Sequence, residues 1–154
     1  MKAEIFILCI GKCKKSEYNP VIEMYLNRIN RFIKITQFEI PAMNYKDINQ
    51  TIKKESEMLI EKSKDMFRIL LDSNGKKIDT ESFVRILNKI FFTGSKRVCF
   101  IIGGPYGVSD YLKSLVDLTI SLSCLNLPYL LARTILFEQI YRSLTIIKNV
   151  PYQH

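Results

Sequence analysis

Hydrophobic positions along the chain fall into two alternating kinds of segment. Short runs that are apolar nearly throughout are separated by longer stretches in which apolar residues recur every three or four positions. EIFILCIG (4–11) is of the first kind. It is rich in β-branched residues and closed by glycine and lysines, which predicts a buried strand. KITQFEIP (34–41), MFRILLD (66–72), RVCFIIGG (97–104) and LTISLS (118–123) predict four more, and Ser73-Asn74-Gly75 predicts a turn that ends MFRILLD. Between the runs the period becomes helical. Residues 17–31 predict a helix with Val21, Met24, Tyr25, Ile29 and then Phe32 on its apolar face. Residues 47–64 predict another, with Ile48, Ile52, Glu55, Leu59 and Lys62 spaced by turns. Thr80 reads as the N-cap of a helix through Phe83, Leu87 and Ile90, and Ser109 as the cap of a short helix reaching Val116. A long helix over 128–148 closes the chain. This alternation, with strands apolar on both faces, predicts an α/β domain whose largely parallel sheet is covered by helices on both sides. The 154 residues show no repeat and no linker, so 1–154 reads as one domain.

One segment breaks the pattern. ISLSCLNLPYLLAR (120–133) runs from strand to helix through a loop that is almost uncharged. Pro128 suits the first turn of a helix and holds Leu127 extended. Loops ordinarily lie on the wet surface, so an apolar one is covered by other parts of the chain or wraps a ligand. Ligands of α/β sheets gather at the carboxyl ends of strands. Two other such ends stand out, Leu71-Asp72 and Gly103-Gly104-Pro105-Tyr106-Gly107. GGPYG matches neither the dinucleotide-binding nor the P-loop glycine pattern.

Charge and chemistry narrow the field. The formal charge of +8 and pI near 9.3 favour an acidic partner, nucleic acid being the commonest, although a lysine- and isoleucine-rich composition gives the same number. The lysines are spread along the chain and form no basic tail. No C-x-x-C pair occurs and the one histidine is His154, so a metal site is not expected. Without an internal histidine a catalytic thiol is not expected either. Cys9 and Cys99 lie in apolar runs and read as core residues, whereas Cys124 lies in the apolar loop. No signal peptide or membrane-spanning run is read, so the expected location is the cytoplasm, with no membrane partner. On the last helix Glu138 and Arg142 stand at i,i+4, which on spacing alone is an ordinary surface pair.

FIIGGPYG, then SLSCLNLP, then R-x4-EQ-x-YR, then N-x-PY resemble, in order and spacing, the RlmH family of ribosomal RNA methyltransferases, small members of the SPOUT class. The strand ending IGK, the strand with EIP, and LLD followed by Gly-Lys match as well, so the resemblance covers essentially the whole chain. It implies a C-terminal trefoil knot, which general rules of chain topology would not suggest. It also implies a homodimer and methyl transfer from S-adenosylmethionine, without a metal, to N3 of a pseudouridine in 23S rRNA on the assembled ribosome. Leu71, Gly103, Gly104, Leu122, Ser123, Cys124, Leu125, Asn126 and Leu127 would bind the cofactor. Arg142 would stabilise the base as it becomes anionic, with Tyr152 placing the nucleoside. The chain departs from the family at two positions. Tyr129 stands where members usually have a histidine after Leu-Pro, and Gln153 where they usually have one after Tyr, leaving His154 one place late. Tyr129 would keep a hydrogen-bonding role. These departures motivate an alternative, a non-catalytic ribosome-binding or assembly protein. A third reading, unrelated to the family, is binding of another nucleotide at GGPYG.

Overall fold

The computed structural model describes residues 2–94 and 97–154. Five strands form one sheet, β1 (Glu4–Ile10), β2 (Lys34–Ile40), β3 (Phe67–Lys77), β4 (Arg97–Ile102) and β5 (Leu118–Ser121). Their order is β2-β1-β4-β3-β5 and every pairing is parallel. Five helices connect or follow them, α1 (Asn19–Ile29), α2 (Ile48–Lys62), α3 (Thr80–Phe92), α4 (Asp110–Leu115) and α5 (Tyr129–Ile147).

The pleat explains why the strands are apolar throughout. Alternate residues point to opposite faces. Ile5, Ile7 and Cys9 of β1, with Val98, Phe100 and Ile102 of β4, join a core built with α1, α3 and α5. Phe6, Leu8 and Ile10, with Cys99 and Ile101, join a second core under α2 and α4. Cys9 and Cys99 are buried, and burial pushes both thiols up to about 12, as inert core residues require.

Several local expectations shift. On α1 the inward residues are Ile22 and Ile29, flanked by Tyr25 and Leu26, while Val21 and Met24 are over a third exposed. Ile48 on α2 is likewise exposed, and the buried face there is Thr51, Glu55, Ser56 and Leu59. The cap of α3 is Asp79, whose carboxylate accepts from the Ser82 N–H at 2.7 Å; Thr80 is the first helical residue. Ser109 caps α4 as expected, accepting from the Leu112 N–H at 3.1 Å. β5 ends at Ser121, two residues short of the apolar run's end at Ser123.

The Ser73-Asn74-Gly75 turn does not end β3. The strand bulges outward after Leu71 and rejoins β5 at Lys76, so that Leu71 and Lys76 both pair with Ile120. A Cβ at Gly75 would lie 2.8–2.9 Å from the Ile120 backbone, so only glycine fits where the bulge folds back over β5.

Candidate functional site

The bulge, the end of β4 and the apolar loop after β5 enclose a cleft of about 130 Å3 at the carboxyl edge of the sheet. Its walls are Leu71, Asp72 and Ser73 from β3, Ile102 from β4, Ile120–Ser123 from β5 and its extension, then Leu125, Leu127 and Ala132. Five of the residues expected to bind a cofactor therefore meet here, namely Leu71, Leu122, Ser123, Leu125 and Leu127. Gly103 and Gly104 follow Ile102 directly but lie outside the lining, and Cys124 and Asn126 are exposed beyond it. Gly103 packs on Val108 and Gly104 on the buried Glu55, so both glycines serve the tight return of the GGPYG turn.

The loop is ordered by short bonds of its own. Ser121 Oγ donates to the Ser123 carbonyl at 2.8 Å, and Ser123 Oγ accepts from the Leu125 N–H at 2.9 Å. Among the described residues the peptide groups of Cys124, Asn126 and Leu127 make no hydrogen bond within the chain. Leu125 stands 74% exposed at the rim. Apolar walls with free peptide donors and acceptors suit a purine or a thioether-bearing chain, and the donor set fits S-adenosylmethionine.

The first turns of α5 are fixed to the other side of the sheet edge. Arg133 is fully buried; its Nη1 lies 2.8 Å from Glu39 Oε2 at the end of β2, and its Nη2 donates to the Gly11 carbonyl at 3.1 Å. Tyr129 stacks on that guanidinium with 4.7 Å to its ring centre, and its hydroxyl donates to the same carbonyl at 3.3 Å. Glu39 Oε2 also accepts from the Cys13 N–H at 2.6 Å. Burial pushes the Glu39 carboxyl up, but the bonds from Arg133 and Cys13 outweigh it and hold the group below its usual range. Cys13 is pushed up, first by burial and then by Glu39, so it is no nucleophile.

The far half of α5 carries a second cluster. Arg142 Nε and Nη2 reach Glu138 Oε1 at 2.8 and 2.7 Å, Tyr152 donates to the same oxygen at 3.1 Å, and Gln139 donates to Oε2 at 2.7 Å. Thr80, expected as a cap, instead braces Gln139 at 2.9 Å. Arg142 lies over the Tyr152 ring at 4.3 Å, and its charge is reinforced, chiefly by the Glu138 hydrogen bond. Burial, then the Tyr25 and Glu138 oxygens, push the Tyr152 hydroxyl well above its usual range. The tail is tied down, because Arg28 donates to the Gln153 carbonyl at 2.8 Å and Gln153 N–H donates to the Tyr141 hydroxyl at 3.1 Å. The His154 ring consequently meets Tyr152 edge-on, with centroids 5.0 Å apart.

Arg142 and Tyr152 are thus brought together, but not with the cleft. Arg142 is ten residues beyond Ala132, which at about 1.5 Å per residue is roughly 15 Å along the helix. Sequence reasoning missed Glu39 and Arg133 as a pair. EIP and R-x4-EQ were visible as strings, but their contact spans 94 positions and leaves no local signal.

The sequence model of a family described as "Predicted SPOUT methyltransferase" matches residues 1–154. A ribosomal RNA large subunit methyltransferase H from Christiangramia forsetii is 39% identical over 154 residues, covering 97% of this chain and 98% of the relative. One of the same name from Pseudothermotoga lettingae is 38% identical over the full length of both. A probable methyltransferase from Bordetella pertussis Tohama I superposes with a TM-score of 0.56 over 93% of this chain and 95% of that one, at 10% identity, a likeness of fold.

Proposed function

This chain belongs to the SPOUT methyltransferases and, within them, to the ribosomal RNA large subunit methyltransferase H family, and we propose from this premise that it transfers a methyl group from S-adenosylmethionine to N3 of a pseudouridine in 23S rRNA on the assembled ribosome. The observation that carries the cofactor half of this reading is the apolar loop after β5, whose unpaired peptide groups adjoin an apolar cleft. Leu71, Leu122 and Leu127 would flank the cofactor, and the peptides of Cys124, Asn126 and Leu127 would bond its polar edges in place of an acidic side chain. Gly103 and Gly104 would act by keeping the end of β4 close. The bound cofactor supplies an electrophilic methyl group on a sulfonium.

The chain's own residues then position and stabilise. Reacting atoms must come within about 3–3.5 Å, far less than the roughly 15 Å between Ala132 and Arg142 along α5. This distance supports a homodimer in which the cleft of one protomer faces the Arg142–Tyr152 cluster of the other. The knot that the family resemblance implies would lie in the segment after β5.

Arg142 keeps Nη1 free of carboxylates among the described residues while Glu138 holds its other nitrogens. It is placed to stabilise the base as N3 loses its proton. Tyr152 stays protonated and is a donor and stacking surface, not a base. The hydroxyl of Tyr129 is engaged with Gly11, so its role is to hold the start of α5. His154, edge-on to Tyr152, is the imidazole on this face.

The engaged hydroxyls of Tyr129 and Tyr152 favour the alternative, ribosome binding without turnover. Both readings are tested by incubating ribosomes that lack the modification with labelled S-adenosylmethionine, then analysing nucleosides by mass spectrometry. Methylated pseudouridine is the expected product. Binding without transfer selects the alternative, and transfer to another nucleoside overturns the site assignment.

A further inference from the structure

We propose that the loop Gly11–Lys15 is a preformed clamp for the RNA phosphate backbone, an inference that rests on the rRNA reading above and assigns it a surface. Lys12, Lys14 and Lys15 are exposed, while Cys13 between them is buried. The backbone that carries them is fixed at Gly11 and Cys13, on either side of Lys12 and just before Lys14. Gly11 has φ +95, its N–H donates to the Ile40 carbonyl at 2.8 Å, and its carbonyl accepts from Arg133 and Tyr129. A side chain there would be strained by the positive φ and would meet the Tyr129 hydroxyl at 3.3 Å. Cys13 N–H is held by Glu39, its thiol by Asn19 at 3.7 Å, and its carbonyl by Ser16 N–H and Oγ at 2.8 and 2.7 Å.

Among the described residues the three ammonium groups have no such partners. Glu39, the acid that anchors the loop, is committed to Arg133 and Cys13. Among the described residues none of the three lysines has a carboxylate within ion-pairing distance. Like charges crowded on a rigid loop repel one another, and an external anion relieves this. From Lys12 to Lys15 the chain spans less than the roughly 10 Å of an extended segment, because Ser16 N–H closes a turn on the Cys13 carbonyl. One nucleic-acid strand presents a phosphate per roughly 3.4 Å of helix axis, so about two phosphates match this length. The loop leaves the carboxyl end of β1, with β4 between it and β3. At about 4.8 Å per strand it sits roughly 10 Å from the cleft, near enough to grip the strand whose nucleoside is being modified. A pinned loop of this kind loses little conformational entropy on binding.

The test compares K12A/K14A/K15A with K2A/K64A/K89A, which removes the same charge at the amino edge of the sheet. Binding to unmodified ribosomes is measured between about 50 and 200 mM salt, the range over which phosphate contacts dominate. Loss of the clamp should lower affinity roughly tenfold or more and flatten the slope of log K against log salt by about 2. S-adenosylmethionine affinity and the melting temperature should be unchanged, and the control should keep the wild-type slope. Equal slopes for the two variants, or no change in either, overturn the clamp while wild-type methylation leaves the enzyme reading standing. A wild type that neither binds nor methylates ribosomes overturns the parent reading and the clamp with it.

Discussion

Two arginines on α5, nine residues apart, form ion pairs that differ in kind. Arg133 is fully buried and reaches across the sheet edge to Glu39, whereas Arg142 is half-exposed and reaches one turn back along its own helix to Glu138. The first pair joins α5 to β2 and, through Gly11 and Cys13, to the loop after β1. The second leaves guanidinium donors near solvent and aligns Tyr152 beneath them. A buried guanidinium cannot trade its partners for a substrate without leaving a charge stranded, so Arg133 is scaffold. Arg142 is half-exposed and keeps Nη1 free of carboxylates among the described residues, so it is the one free to meet a reacting base.

The largest effect expected from this contrast is on stability. Glu39→Ala strands the Arg133 charge in the interior and should cost about 3–5 kcal/mol, a melting point lower by roughly 10 °C. Urea unfolding measures it; a loss below 1 kcal/mol, the scale of a surface pair, would dissolve the distinction. Arg142→Ala should do the reverse, changing stability by no more than about 0.5 kcal/mol. Its methyl transfer at saturating substrates should fall about a hundredfold, or about 2.7 kcal/mol. Unimpaired turnover would remove Arg142 from the chemistry.

Acid sharpens the same comparison. Glu39 has a lowered carboxyl pKa, so its contribution to stability is full above the ordinary carboxylate range and fades as pH falls through the lowered value. The stability gap between wild type and Glu39→Gln should therefore close on acidification, as followed by unfolding at successive pH values. A gap constant with pH would mean that the charge on Glu39 is immaterial. The smallest effect is expected for Tyr129→Phe, which loses one hydrogen bond to Gly11, about 1 kcal/mol. Turnover should stay within about twofold, and a collapse of kcat with the melting point held would return Tyr129 to the catalytic set.

The order of strands and helices was legible because each strand carries its own apolar run and each helix its own period. Details failed where neighbours decide. Val21 and Met24 fit an apolar stripe as well as Ile22 and Leu26 do, and the α1–α5 packing chose between them. Thr80 and Asp79 are both good caps, and Asp79 won because its carboxylate reaches Ser82 N–H while Thr80 is taken by Gln139. Ser73-Asn74-Gly75 has turn composition, yet the chain beyond it returns to the ladder because β5 offers Ile120 and Ser121 as further partners.

The sequence by itself determined the α/β alternation, the two-sided burial of the strands, the apolar loop after β5 and its association with a methyltransferase family. These are short-range patterns, set by residues within a turn or a pleat of one another, and a linear reading captures them. Tertiary structure alone decided that Leu71, Ile102, Ile120 and Leu127 line one cleft, that Arg133 meets Glu39 across 94 positions, and that Cys13 turns inward so that three lysines turn out. Each depends on which strands pair and in what register, because the desolvation of a charge or the closing of a cleft is a property of the packed whole.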